Sequence, residues 1–283
     1  MEKFEEITKP VNKIETEPTY HFKEVFRELE SLIFPLIEKL KENIDKGEYD
    51  MLIGDDASGR IPTLVLRGII NVRNRKLHPE LKPSEAETKT RFVAGGRVEN
   101  DKELKSALEK LKLEVKKKAL VVTEYIHTGK SIKRFSNILK ELGIPFDIAT
   151  LKSEFESESD KDNFIERFSN VLKDLGEFLG VITPKPEEPK LGTYNIKIPR
   201  NSNFFYGEGS YDSCAPPLIY NVPELSGVVK DKDSESKPYV ISSVKKLASE
   251  AERRVAQEKI NNAREDINLL VKKMLEKVWG DTH

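Results

Sequence analysis

The sequence predicts an α/β protein, in which a Rossmann-like, mainly parallel sheet is covered by helices and carries helical additions at both ends. From about residue 50 to residue 183, short apolar runs typical of buried strands alternate with apolar residues at helical spacing. The connections between successive apolar runs are too long for hairpins, so we expect the strands to pair in parallel. Ligands of such sheets bind beyond the carboxyl ends of the strands.

Composition excludes several classes of protein. The 283 residues include 48 Lys and Arg against 49 Asp and Glu, and the net charge of −1 argues against bulk binding of nucleic acid. The single cysteine, Cys214, excludes an internal disulfide and a cysteine-rich zinc site. No apolar run approaches the ~18 residues of a membrane helix, and the first residues lack a signal-peptide core. We therefore expect a cytoplasmic protein without a membrane partner.

Residues 1–48 are expected to form an N-terminal helical segment. Apolar residues at helical spacing predict a helix over 19–47, with a kink or a break at Pro35. The α/β domain, 49–183, then begins with a buried strand at Met51-Leu52-Ile53. Its remaining predicted elements are helices over 61–72, 102–114, 131–142 and 163–175, strands over 91–94, 119–122, 146–151 and 178–182, and an exposed loop over 74–88.

Residues 184–240 interrupt this alternation with many prolines and aromatic residues. Disordered segments seldom carry so many rings, so we expect an ordered, irregular extension. Asn203-Phe204-Phe205-Tyr206 within it either stacks on a base or anchors the extension in the core. The last segment, 241–283, carries a C-terminal helix over 241–279. Its apolar stripe packs either on its own domain or on a second copy of the chain in a homodimer.

The strongest local signal is a strand–loop–helix unit over 119–142. A buried strand leads into a loop with Thr128-Gly129-Lys130-Ser131, after which a helix begins. The first N–H groups of a helix lack partners and lie at the positive end of its dipole. Gly129 allows the backbone to approach an anion, and Thr128 and Ser131 offer hydroxyl donors. This composition is typical of a phosphate-binding loop.

The same unit resembles the phosphoribosyl pyrophosphate (PRPP) motif of type I phosphoribosyltransferases, which has an apolar strand, two acidic residues, three variable residues and Thr-Gly-x-Thr/Ser. The resemblance implies that Glu124, at the second acidic position, contacts the ribose hydroxyls. It also implies that the 5′-phosphate is bound by Tyr125, Ile126, His127, Thr128, Gly129, Lys130 and Ser131. The first acidic position holds Thr123, which can hydrogen-bond a ribose but brings no charge. His127 either acts as an acid or base or only lines the loop.

A second loop, at the end of the first strand, occupies the position of the family's pyrophosphate loop. The resemblance implies that Ala57, Ser58, Gly59 and Arg60 bind pyrophosphate there, through small residues and one cation. Carboxylates of the adjoining Asp55-Asp56 pair would hold Mg²⁺. Alternatively, this is an ordinary strand-to-helix turn whose aspartates cap the helix.

The expected function is therefore phosphoribosyl transfer. The ligand would be PRPP or a nucleoside 5′-monophosphate with Mg²⁺, and the acceptor, which the sequence does not name, would be a small molecule such as a nucleobase. A non-catalytic sensor on the same fold is the alternative, and Thr123 favours it. A Walker-type nucleoside triphosphatase is a third hypothesis, disfavoured because the opening glycine of that motif falls at Glu124.

Overall fold

The computed structural model describes residues 19–56, 59–93, 101–126, 129–153, 203–209, 223–230, 238–240 and 249–280. Their helices are α1 (Lys23–Asp45), α2 (Arg60–Leu77), α3 (Pro83–Ala86), α4 (Asp101–Lys112), α5 (Lys130–Glu141) and α6 (Glu250–Trp279), with a 3₁₀ turn at Pro223–Ser226. The strands are β1 (Tyr49–Asp55), β2 (Lys89–Val93), β3 (Lys118–Ile126), β4 (Phe146–Ser153), β5 (Phe204–Gly209), β6 (Val228–Lys230) and β7 (Pro238–Val240). The helix expected over 163–175 and the strand expected over 178–182 lie outside the described residues.

The predicted α/β architecture is confirmed. Five strands form one sheet in the order β2-β1-β3-β4-β5, and every neighbouring pair in it is parallel. The short strands β6 and β7 pair antiparallel in a separate two-stranded sheet. The main sheet grows to one side of β1 with β2 and to the other side with β3. The chain therefore reverses its direction of growth between β1 and β3.

Two apolar cores lie on opposite faces of the sheet. Leu52, Leu120 and Val122 face the core shared with α1, α2 and α6. Ile53 and Val121, their neighbours in the strands, face the core shared with α4 and α5. The alternation follows from strand geometry, in which successive side chains point to opposite faces. The molecule thus has helices on both faces of a buried sheet, which is why its central strands read as continuous apolar runs.

Helix α1 runs through Pro35 as one helix, so the break, one of the two alternatives predicted there, is wrong. Its Leu29, Leu32, Ile33 and Leu36 are buried in the first core, and this burial offsets the ~3 kcal/mol that an interior proline costs. No side chain of the helix itself caps its N-terminus.

The cap of α1 instead comes from α6. The buried carboxylate of Asp266 accepts the backbone N–H groups of His21 and Phe22, both at 2.8 Å. Because the first N–H groups of a helix have no partner within it, a buried helix start needs such an acceptor. The two terminal helices are therefore held together by a capping contact that joins residues far apart in the sequence.

Part of the expected irregular extension is the fifth strand of the sheet. The backbone N–H of Asn203 donates to the buried Asp147 carboxylate at 2.7 Å, which fixes the start of β5. A Cβ on Gly207 would lie 2.0 Å from the carbonyl oxygen of Leu32, so only glycine allows β5 to lie this close to α1. Phe204 and Phe205 pack against the two opposite cores. Their rings act as the anchor that the sequence analysis offered as one alternative.

The C-terminal helix α6 packs on its own domain. Ile267, Leu270 and Met274 are buried in the core shared with α1 and α2, which is the first of the two alternatives that the sequence left open. Near its end, the indole N–H of Trp279 donates to the Asp45 carboxylate at 3.0 Å. The first turns of α6 do not follow the predicted apolar stripe, since Val255 is 54% exposed. Within the described ranges, none of the helices has the length and apolar character to cross a bilayer.

Candidate functional site

The two loops singled out by the sequence follow neighbouring strands. Ile53 of β1 pairs with Val121 of β3, and Gly54 pairs with Val122, although the strands are separated by more than 60 residues in the chain. After these strands the chain turns to opposite faces of the sheet, towards α2 and towards α5. A crevice at such a topological switch point is the usual ligand site of an open α/β sheet. The strands that precede the two candidate loops therefore lie side by side, with their carboxyl ends at the same end of the sheet.

Gly59 lies against both strands at this edge. A Cβ at Gly59 would sit 2.4 Å from the carbonyl oxygen of Val122 and 2.9 Å from the backbone nitrogen of Asp55. Its N–H donates to the Asp55 carbonyl at 2.6 Å, and its carbonyl accepts the N–H of Thr63 at 3.0 Å. A side chain would therefore displace the start of α2 from the sheet. The small residue expected here is required by close packing of the backbone.

Arg60 and Asp56 form an ion pair in the same turn. The guanidinium donates through Nε and Nη2 to the two carboxylate oxygens of Asp56, at 3.1 and 3.2 Å. Its Cζ lies 4.1 Å from the centroid of the Phe92 ring, at the neighbouring end of β2. Bidentate pairing and stacking on an aromatic face both fix the guanidinium plane. The expected phosphate-binding cation is thus paired with one of the two expected metal ligands.

The residues expected to hold magnesium do not assemble a preformed site. Asp55 and Asp56 are both buried, and both oxygens of Asp56 accept hydrogen bonds from Arg60. No group of three or more acidic, histidine or cysteine side chains that could hold a metal ion occurs within the described residues. Carboxylate oxygens are chemically suitable magnesium ligands, but here the pairing with Arg60 competes with coordination. Mg²⁺ stays a prediction of the resemblance.

Strand β3 is longer than the apolar run that predicted it. Thr123, Glu124, Tyr125 and Ile126 belong to the strand, and the loop begins after Ile126. Thr123 and Glu124 are 2% and 1% exposed. Two polar residues can continue a buried strand because parallel pairing with β4 holds the backbone on one side. Glu124, which the resemblance expects to contact ribose, therefore belongs to the sheet and not to the loop.

Glu124 has an unusual environment for a carboxyl group. By strand alternation its side chain shares the face of Val122, under α1, and its Oε1 has no hydrogen-bond partner among the described residues. Burial raises the pKa of Glu124 to about 9, with a further contribution from the carboxylate of Glu28 on α1. At neutral pH the group is thus a neutral acid, which can donate one hydrogen bond and accept others.

The second candidate loop ends at Gly129, where α5 begins. Gly129 has a left-handed backbone conformation (φ 69°), which glycine adopts without strain, and it precedes the first residue of α5. Its carbonyl accepts the N–H of Lys133 at 2.8 Å. No acidic residue lies in the first turn of α5, and Ser131 is partly exposed there. The first N–H groups of a helix are chemically suited to an anion.

Several predicted site residues lie outside what the structure describes. They are Ala57 and Ser58 of the first loop, His127 and Thr128 of the second, and the side chain of Lys130. Two residues at this edge were missed by the sequence analysis. Phe92 supports the Arg60 guanidinium, and Glu28 lies close enough to influence Glu124. Neither has a sequence signal, because both are brought to the site only by packing of separate elements.

Comparisons with protein-family models, with curated proteins and with solved structures find no match. The resemblance to type I phosphoribosyltransferases therefore rests on the two loops themselves, on their order along the chain and on their place beside neighbouring strands.

Proposed function

We propose that this chain is a phosphoribosyltransferase-like protein that binds the phosphoribosyl group of PRPP or of a nucleoside 5′-monophosphate at the β1–β3 edge. The observation that carries the proposal is the adjacency of β1 and β3 at the switch point, with Gly59 against Val122 and Gly129 opening α5. Such an edge combines backbone donors with a crevice in which a ligand can lie.

Each element has a role in the proposed binding. The first turn of α5, from Gly129 to Ser131, would hold the 5′-phosphate through backbone N–H groups and a hydroxyl. Glu124, on the α1 face of β3, would hold a ribose hydroxyl as a neutral acid that both donates and accepts. Its unpartnered Oε1 supports this role, because a buried polar atom without a partner costs free energy that a ligand hydroxyl would recover.

The proposed chemistry is attack of an acceptor nitrogen on C1 of the ribose, with pyrophosphate as the leaving group. The bond from C1 to the pyrophosphate oxygen breaks as the bond to nitrogen forms. Catalysis then depends on stabilising charge at the leaving group and at the ribose. The β1 turn, with Gly59 and Arg60, is the part of the chain that would face the leaving group.

A non-catalytic sensor is the second candidate, and three observations favour it. Thr123 supplies no charge at the first acidic position. The Arg60 guanidinium is paired with Asp56, and Glu124 is neutral at physiological pH. Each of these weakens the stabilisation of developing charge more than it weakens the binding of a phosphorylated ribose.

Calorimetric titration of the full chain with PRPP and Mg²⁺, and with AMP, GMP, UMP and ATP, tests the binding proposal. Gly129→Asp places a carboxylate at the proposed phosphate position and should abolish binding. Gly143→Asp is the matched control, since Gly143 follows the other end of α5 with nearly the same φ (68°) and open space around it. Both variants place an aspartate at a glycine with a left-handed backbone, so the exposed Gly143 controls for the backbone strain at the buried Gly129.

Saturable binding that Gly129→Asp abolishes and Gly143→Asp retains would support the site. Absence of binding by every one of these ligands would refute it. Release of pyrophosphate from PRPP in the presence of nucleobases would then identify a transferase, whereas binding without release would identify a sensor. Hydrolysis of ATP that Lys130→Ala abolishes would instead identify a nucleoside triphosphatase.

A further inference from the structure

Arg60, the cation that a pyrophosphate group would need, is already paired with Asp56. Arg60 is the basic residue of the β1 turn, and its Nε and Nη2 donate to Asp56 while its Cζ lies over the Phe92 ring. The Asp56 side chain is only 4% exposed, against 23% for Arg60. An anion that withdrew the guanidinium would leave a buried carboxylate without its partner, which costs more than about a hundredfold in affinity.

The α5 end of the same site has the opposite character. Its first turn has no acidic residue and no side-chain cap, and Gly129 turns the backbone into the helix. A phosphate there would receive N–H donors without breaking any ion pair among the described residues. The two loops of the proposed site therefore differ, since an anion at the first turn of α5 meets no carboxylate of that turn, whereas an anion at Arg60 must first break the pair with Asp56.

We propose that this site selects ribose 5′-phosphate monoesters, the class that includes nucleoside 5′-monophosphates, over PRPP, and that it binds them without a divalent cation. The proposal rests on the proposed function, because it assumes that the β1–β3 edge holds a phosphoribosyl group. It deepens that function by naming the ligand class. The pairing of Asp56 with Arg60 supports both parts of the proposal. The paired guanidinium is not available to pyrophosphate, and the two paired carboxylate oxygens are not available to a metal ion.

Ribose 5-phosphate and PRPP are the matched probes, because they differ by the pyrophosphate at C1. Titration of the full chain with each, in EDTA and in Mg²⁺, should show ribose 5-phosphate and AMP binding equally well in both solutions. PRPP should bind no tighter than ribose 5-phosphate. The proposal would be overturned if Mg²⁺ raised the affinity for PRPP to about tenfold or more above the affinity for ribose 5-phosphate. A gain of that size is expected for charge-assisted contacts to pyrophosphate.

Asp56→Asn tests the role of the pair directly. The variant keeps the size of the side chain and removes the charge that holds the guanidinium, so it should improve PRPP binding relative to ribose 5-phosphate. Glu114→Gln is the control, since Glu114 also pairs with an arginine, Arg91 at 2.8 Å, in a more exposed position that precedes the amino end of β3. If Asp56→Asn left the ratio of the affinities for PRPP and ribose 5-phosphate unchanged, pairing with Asp56 would not be what keeps Arg60 from binding pyrophosphate.

The outcomes separate the two proposals. Strong magnesium-dependent binding of PRPP refutes the preference for monoesters and leaves the phosphoribosyl site standing. Absence of binding by ribose 5-phosphate, AMP and PRPP alike refutes both. Thermal unfolding of the two variants, monitored by circular dichroism, verifies that each titration reports on folded protein.

Discussion

Replacement of Glu124 by glutamine should stabilise the protein at neutral pH and remove much of the pH dependence of its stability. Glu124 is 1% exposed, and burial raises the pKa of its carboxyl group from 4.5 to about 9. In the unfolded chain the carboxyl ionises above its ordinary pKa, whereas in the folded chain it stays protonated. The folded state therefore binds one more proton in between, so stability falls as the pH rises from about 4.5 towards 9.

The magnitude follows from the difference between the two pKa values. Each pH unit in this range costs ~1.4 kcal/mol, so at pH 7 the native protein has lost about 3 kcal/mol relative to acidic pH. Glutamine cannot ionise and is close in shape, so Glu124→Gln should recover about that amount at neutral pH. Glu28→Gln should also reduce the slope, because the Glu28 carboxylate contributes to the raised pKa of Glu124.

Urea unfolding at several pH values between about 5 and 8 measures this effect as a change in slope of the unfolding free energy. Glu114→Gln, which replaces a partly exposed, paired glutamate, provides the control and should leave the slope unchanged. A Glu124→Gln variant whose stability follows the wild type in parallel across that range would refute the reasoning. Such a result would mean that Glu124 ionises in the folded protein at its ordinary pKa.

Three further predictions concern the packing that supports the site. Asp266→Ala should destabilise the protein by about 2–3 kcal/mol in urea unfolding, with a smaller loss for asparagine, because two N–H groups at the start of α1 lose their acceptor; equal losses would contradict the capping role. Gly68→Ala should cost about 1 kcal/mol, since its Cβ would lie 2.7 Å from Val271, and a double-mutant cycle with Val271→Ala should remove that cost; an additive double mutant would exclude the steric explanation. Tyr49→Phe should cost about 1 kcal/mol in thermal unfolding, because the buried Asp147 carboxylate loses a hydroxyl donor at 2.8 Å; an unchanged midpoint would show that this bond contributes nothing.

The apolar pattern predicted most of the described elements. Buried strands on both faces of a sheet read as continuous apolar runs, so β1, β3 and β4 were recognised by their cores. Their carboxyl ends were placed too early, because Thr123, Glu124 and Lys152 are polar and nevertheless lie in strands. Parallel pairing extends a strand beyond its apolar part, and that pairing is a property of the sheet.

Strand β5 shows the limit of local patterns. Phe204–Gly209 contains two glycines and a charged residue, so its sequence favours an irregular segment. It becomes a strand because Asp147 fixes its start and Gly207 permits contact with α1. Both reasons depend on residues more than 50 positions away in the chain. No short segment of the sequence therefore contains both β5 and the residues that make it a strand.

The sequence by itself determined the α/β class, the glycine at the start of α5 and the small-residue turn before α2, because apolar periodicity and glycine placement are local properties. The tertiary structure alone decided that the two loops follow neighbouring strands, that Arg60 is paired with Asp56, and that Glu124 is buried near Glu28. Ion pairing and burial depend on which elements meet, and elements far apart in the sequence meet only when the sheet forms. The charge state of the candidate site is therefore a consequence of the fold.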